Sequence, residues 1–146
     1  MAKFKYRMQN ILDIKMKLES QAKIAYGIAN RKLQEEQAKL QELLLRRVGY
    51  EKTLKELMAG NLDVPKIAHA RADVNTMKTL IRRQMVSVHK AEVEVEEARK
   101  RLNEVMKERK THEILRDKAF EEFKQEIKAE ESKEIDQLVS FTYNSK

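Results

Sequence analysis

Three histidines, His69, His89 and His112, are the side chains of this sequence with the type most often seen at a metal. A helical metal site needs two imidazoles about one turn apart on one face. These are separated by twenty or more residues, so they read as ordinary surface or seam residues. Glu92, Glu94, Glu96 and Glu97 form a compact group of carboxylates. On a helix they spread around the circumference and read as a solvated face. Gly27, Gly49 and Gly60 are isolated from one another, which excludes a loop that cradles phosphate. There is no cysteine, so disulfides, thiolate zinc sites, iron–sulfur clusters and thiol nucleophiles are excluded. No serine, histidine and acid converge on a concave site. Neither catalysis nor a cofactor is expected.

The formal charge of +7 raises the question of nucleic acid. The densest basic cluster, Arg99-Lys100-Arg101, has Glu96, Glu97 and Glu104 as near neighbours, and no long basic region runs into a zipper. Nucleic acid is therefore not expected as a partner. No stretch approaches the ~20 apolar residues of a membrane span, so direct insertion is not expected either. The first eight residues, Met-Ala-Lys-Phe-Lys-Tyr-Arg-Met, lack the apolar core of a secretory signal, and the protein is expected to stay where it is made.

What must position the remaining side chains follows from composition. The 146 residues are 38% charged and 41% hydrophobic but only 5% aromatic, with three Gly and one Pro. That combination calls for long helices with a narrow buried seam. The breakers gather at Met58-Ala59-Gly60-Asn61-Leu62-Asp63-Val64-Pro65. Gly60 suits a left-handed helix end, Asp63 an N-cap, and Pro65 the first helical turn. The chain reads as one coiled-coil domain over 1–146: helix one over about 3–59, a turn at 60–63, helix two over about 64–138 and a frayed tail at 139–146.

In helix two, alternating steps of three and four select Ile67, Ala70, Val74, Met77, Ile81, Gln84, Val88, Ala91, Val95, Ala98, Leu102 and Val105. Only Gln84 is polar, and it is read either as a register-setting residue or as an edge residue facing solvent. The seam then degrades through Arg109 and His112. Helix one reads as Phe4, Met8, Ile11, Lys15, Leu18, Ala22, Ala25 and Ala29, changing phase at Leu33. The change implies an eleven-residue stutter that relaxes the supercoil.

A short turn between two seamed helices specifies an all-α fold: a long antiparallel two-helix coiled-coil hairpin. Residue i then faces about residue 125 − i. This brings Phe4 and Tyr6 beside Phe120 and Phe123, and Gly27 opposite Ala98, where small residues would allow close approach. It also sets residues 1–23, with six basic and two acidic side chains, against residues 113–136, with five basic and nine acidic. Opposite charge balances favour this alignment. The paired length would be roughly 85 Å at 1.5 Å per residue, with the C-terminal helix end overhanging beyond about residue 122. Tyr50, Leu54, Leu57, Met77, Leu80 and Ile81 gather near the turn, as a widened core or as a patch for a partner.

The two ends carry a resemblance. Phe4-Lys5-Tyr6-Arg7-Met8-Gln9-Asn10-Ile11-Leu12-Asp13-Ile14-Lys15, then Glu19, and Arg109-Lys110-Thr111-His112-Glu113-Ile114-Leu115-Arg116-Asp117-Lys118, then Phe123, Glu126, Glu130 and Asp136, resemble the flagellar FliJ family. These are the coiled-coil proteins of the flagellar type III export apparatus. The resemblance implies a stalk-like protein that associates with the hexameric export ATPase ring, binds the cytoplasmic part of the membrane export-gate protein, and escorts export chaperones. It implies a place at the cytoplasmic face of the inner membrane, at the flagellar base. With the resemblance as guide, ATPase binding is expected at Phe4, Tyr6, Arg7, Ile11, Arg109, Lys110 and Phe123. Gate binding is expected at Tyr50, Leu54, Leu57, Val74, Met77 and Ile81. The chain departs from the family in having Val74 and Met77, rather than an aromatic, in the early turns of helix two. A rotary-ATPase central stalk would share the hairpin but usually carries a globular insertion near the turn. A basic nucleic-acid-binding coiled coil would share the charge.

Overall fold

Residues 60–63 interrupt the helix, and the chemistry of Asp63 restarts it. Its Oδ1 accepts from the Lys66 N–H at 3.3 Å and its carbonyl accepts from the Ile67 N–H at 3.0 Å. One orphan donor of the new helix is thereby satisfied by the cap. The computed structural model describes residues 3–144. They form α1 (Gln9–Ala59) and α2 (Val64–Asn144), two long helices packed against each other as an antiparallel hairpin; the described residues contain no strand. Gly60 does not take the left-handed conformation expected of it, since no described glycine has a positive φ. The first helix ends without an αL cap.

Both helix ends differ from the sequence reading. The first starts at Gln9 rather than near residue 3. Lys3, Lys5 and Arg7 would place three cations at the positive pole of the helix dipole, and no capping side chain precedes them. The segment instead alternates, with Phe4 and Tyr6 half-buried between exposed Lys3, Lys5 and Arg7, and the Gln9 N–H donates to the Tyr6 carbonyl at 3.1 Å. At the other end α2 continues through Asn144 instead of fraying from 139, because nothing after Pro65 breaks it. Ser145 and Lys146 of the expected tail lie outside the described residues.

The chain divides into two compact units: the described parts of Met1–Gln21 and Asn103–Lys146, and Ala22–Leu102. In the second, Ala70, Val74, Met77, Ile81, Val88 and Ala91 are buried and Ile67, Gln84, Val95, Ala98 and Leu102 half-buried, as the heptad requires. In the first, Val105 and Leu12 are fully enclosed.

α1 corrects its own reading. Ile11 and Ala25 are exposed, whereas Leu12, Lys15, Glu19, Ala22, Tyr26, Ala29, Leu33, Glu36, Leu40, Leu43, Arg47, Leu54 and Leu57 are buried or half-buried. These run in one uninterrupted phase, with Tyr50 just exposed between Arg47 and Leu54. There is no stutter. Four charged residues, Lys15, Glu19, Glu36 and Arg47, sit on seam positions, and reading Leu18 and Ala25 in place of Glu19 and Tyr26 produced the apparent change of phase. Gly27 is exposed, and a Cβ built there would meet nothing within 4 Å, so it does not mediate a close approach.

Candidate functional site

Aromatic side chains assemble the first surface. The Phe4 ring meets Phe120 edge-on at 5.0 Å between centroids and Phe123 at 5.4 Å. Each such pair adds about 0.5–1.5 kcal/mol beyond the area it buries. Lys124 Nζ stands 4.6 Å above the Phe120 ring, a cation–π contact. The expected cluster of Phe4, Tyr6, Phe120 and Phe123 is therefore present in part as direct ring contacts, with Tyr6 half-buried beside it in sequence.

About three to four turns further in, the seam becomes ionic. Arg109 Nε donates to Glu19 Oε2 at 2.6 Å, its NH2 group to Glu19 Oε1 at 3.3 Å, and its NH1 group to Glu113 Oε2 at 2.7 Å. Glu19 is only 7% exposed, and the forked contact is the bidentate geometry a guanidinium offers a carboxylate. The Glu19 hydrogen bond, and after it that of Glu113, raises the Arg109 guanidinium above its ordinary pKa. Lys15 Nζ reaches Glu108 Oε2 at 2.9 Å in the same unit. Of the residues expected to meet an ATPase, Arg7, Ile11 and Lys110 are exposed, Phe4, Tyr6 and Phe123 half-buried, and Arg109 engaged in this cluster. The structure brings Phe4 and Phe123 together and sets Arg109 with Glu19, whose role the sequence reading missed. Glu19 at a seam position was the available signal.

Beyond Ile127 every described residue of α2 is exposed. Ile135, Leu138 and Val139 form an apolar face with Thr142 and Tyr143 at helical spacing, and an open groove is lined by Leu138, Val139, Thr142 and Tyr143. The sequence reading passed over this face because the intramolecular seam has faded there.

Near the turn, Val74, Met77 and Ile81 are buried and Leu54 and Leu57 half-buried, with Tyr50 exposed. The apolar gathering is chiefly a widened core, and Leu57 belongs to the seam. An open groove lined by Thr53, Leu57, Pro65, Lys66, His69, Ala70 and Asp73 flanks it. Further along the same unit Gln84 Nε2 donates to the Glu36 carbonyl at 2.9 Å and to the Glu36 carboxylate. Gln84 thus faces the other helix, not solvent.

His69 and His89 are exposed beside Asp73 and Glu92, and His112 has a buried Nδ1 without a hydrogen-bond partner among the described residues. The described residues include no group of three or more His, Cys, Asp and Glu able to hold a metal ion. No helix among them is long and apolar enough to cross a membrane.

A hairpin of two long helices with a polar-punctuated seam, aromatic contacts at its open end and open grooves defines a coiled-coil protein. The family model described as Flagellar FliJ protein matches residues 4–146, nearly the whole chain. The chain belongs to that family and is a component of the flagellar export apparatus. Nothing among curated proteins or solved structures matches it.

Proposed function

We propose that this chain is a non-enzymatic, stalk-like coiled coil that links the hexameric export ATPase to the membrane export gate, assists export of flagellar subunits and handles export chaperones. Its place is the cytoplasm, peripherally at the inner membrane of the flagellar base. The open end (Phe4, Tyr6, Arg7, Ile11, Arg109, Lys110 and Phe123) engages the ATPase ring. The turn end (Tyr50, Leu54, Leu57, Val74, Met77 and Ile81) engages the gate, with the buried members shaping the hairpin and the exposed ones making contact.

The observation that carries this reading is the length of α2 beyond Ile127, which packs on no other described residue strongly enough to be covered and presents Ile135, Leu138 and Val139 to solvent. A helix that exposes such a face is suited to insertion among partner helices or loops. Charged flanks add contacts without strong directional locking. Deletion of residues 130–146 tests the assignment in pull-downs with the purified ATPase and the cytoplasmic part of the gate. The expected result is lost ATPase binding with gate binding retained and an unchanged helical hairpin by circular dichroism. Weakened gate binding with intact ATPase binding would reverse the polarity.

A further inference from the structure

From Val74 through Ala91 the chain has no acidic residue, while Lys78, Arg82, Arg83 and Lys90 fall within that stretch and Arg71 just before it. Lys15, Lys32, Arg99 and Arg109, by contrast, each have a carboxylate partner. Among the described residues none of Arg71, Lys78, Arg82, Arg83 and Lys90 forms an ion pair. Of the acids in the opposing part of α1, Glu36, Glu42 and Glu51 pair with Lys39, Arg46 and Arg47 of their own helix, and Glu35 forms no ion pair with the stripe among the described residues. The stripe is therefore positive without internal neutralisation.

Its apolar content is patterned as well. Thr79, Val86 and Val93 recur every seven residues on the side of α2 that faces away from buried Val74, Met77, Ile81 and Val88. Val86 is 69% exposed, and Arg82, Arg83 and Lys90, also exposed, stand around it. A threonine and two valines at heptad spacing, with charged flanks, have the layout of one half of a helix–helix seam. A nucleic acid strand would call for aromatic side chains on which to stack, and the stripe has none. A lipid surface would call for large apolar anchors, and here only two valines and Met85 face outward.

We propose that this outward face of α2 is the docking surface for an acidic amphipathic helix of a partner protein, its apolar residues seated along Thr79 and Val86, its carboxylates on Arg82, Arg83 and Lys90, and its end short of the acidic run that begins at Glu92. The surface is separate from the buried turn-end residues above and does not depend on which partner the turn end meets.

The probe is a synthetic three-heptad peptide with Leu at the seam positions and Glu on both flanks, titrated onto the full chain by fluorescence anisotropy. A scrambled peptide of the same composition is the control. The designed peptide should bind, the scrambled one much more weakly, and rising salt should weaken the complex. Arg82→Glu, Arg83→Glu and Lys90→Glu together should lower affinity about tenfold or more. Val86→Asp should do so as well, and circular dichroism should stay unchanged because these residues are exposed. Equal binding of the scrambled peptide, or undiminished binding by either variant, overturns the proposal. So does binding of phosphatidylglycerol vesicles or duplex DNA where the designed peptide fails.

Discussion

Leu12 is fully enclosed and Ile11, its neighbour, is 37% exposed; that difference sets the phase of α1. Leu12→Ala should cost about 2–4 kcal/mol in denaturant unfolding, from lost burial plus the cavity left behind. Ile11→Ala should stay within about 0.5 kcal/mol. Equal effects would show that the seam does not run through Leu12. At the surface, the Arg99 guanidinium donates to Glu96, with Nε to Oε2 at 2.9 Å, and holds that carboxyl below its ordinary pKa. A depressed carboxyl contributes stability above its unfolded pKa and loses it as pH falls through the folded value. Since Glu96 is exposed, this contribution is small and belongs to acidic solution. Carboxyl-carbon NMR titration should find Glu96 among the more acidic glutamates, and Arg99→Gln should return it to the ordinary range.

At the scale of the element, the polar seam decides how each helix pairs. Within the open-end unit Phe4 meets Phe120 and Lys15 meets Glu108; within the turn unit Lys32 meets Glu94. Each lies within two residues of the pairing expected from the turn, while Glu19–Arg109 and Glu36–Gln84 reach further along the diagonal. A shift of register would leave the Glu19 carboxylate desolvated and unpaired, which is far costlier than losing the pair altogether. Glu19→Ala and Arg109→Ala should therefore each lower the thermal midpoint. The Glu19→Leu/Arg109→Leu double variant should recover much of the loss. If the double variant loses as much as the two single losses combined, the two side chains act independently and the ion pair does not set the register.

For the whole molecule, protection against hydrogen exchange should follow burial. Amides around Ile81 and Val88 in one unit and around Val105 in the other should be the slowest, since their side chains are packed. The stretch from 128 to 144 is helical yet exposed throughout, so its amides should exchange fast in the isolated protein. Adding the export ATPase should slow them if the open end is its binding site. Protection appearing instead only around residues 54–81 would assign the ATPase to the turn. The surfaces thus differ in what they ask of a partner: the open end offers an apolar helix face, and the exposed side of α2 offers uncompensated positive charge.

Helix two was legible almost residue by residue. Eleven of its twelve seam positions are apolar, so periodicity alone located the buried face, and the isolated breakers at 60–65 located the turn. Turn plus seams specified the antiparallel hairpin, and opposed charge balances at the open end agreed with it. The family could be read from the motifs at the two ends. Helix one was not legible in the same way, because Lys15, Glu19, Glu36 and Arg47 occupy its seam. Hydrophobic periodicity cannot register a buried charge; only the partner across the interface explains it, and that partner lies distant in sequence. The acid-free run from Val74 to Ala91 is visible in the sequence, but whether acids of α1 cancel it is not. Folding pairs Glu36, Glu42 and Glu51 within α1, and Arg82, Arg83 and Lys90 form no ion pair among the described residues. Which charges cancel is a matter of distance in three dimensions, and only the tertiary structure decides it.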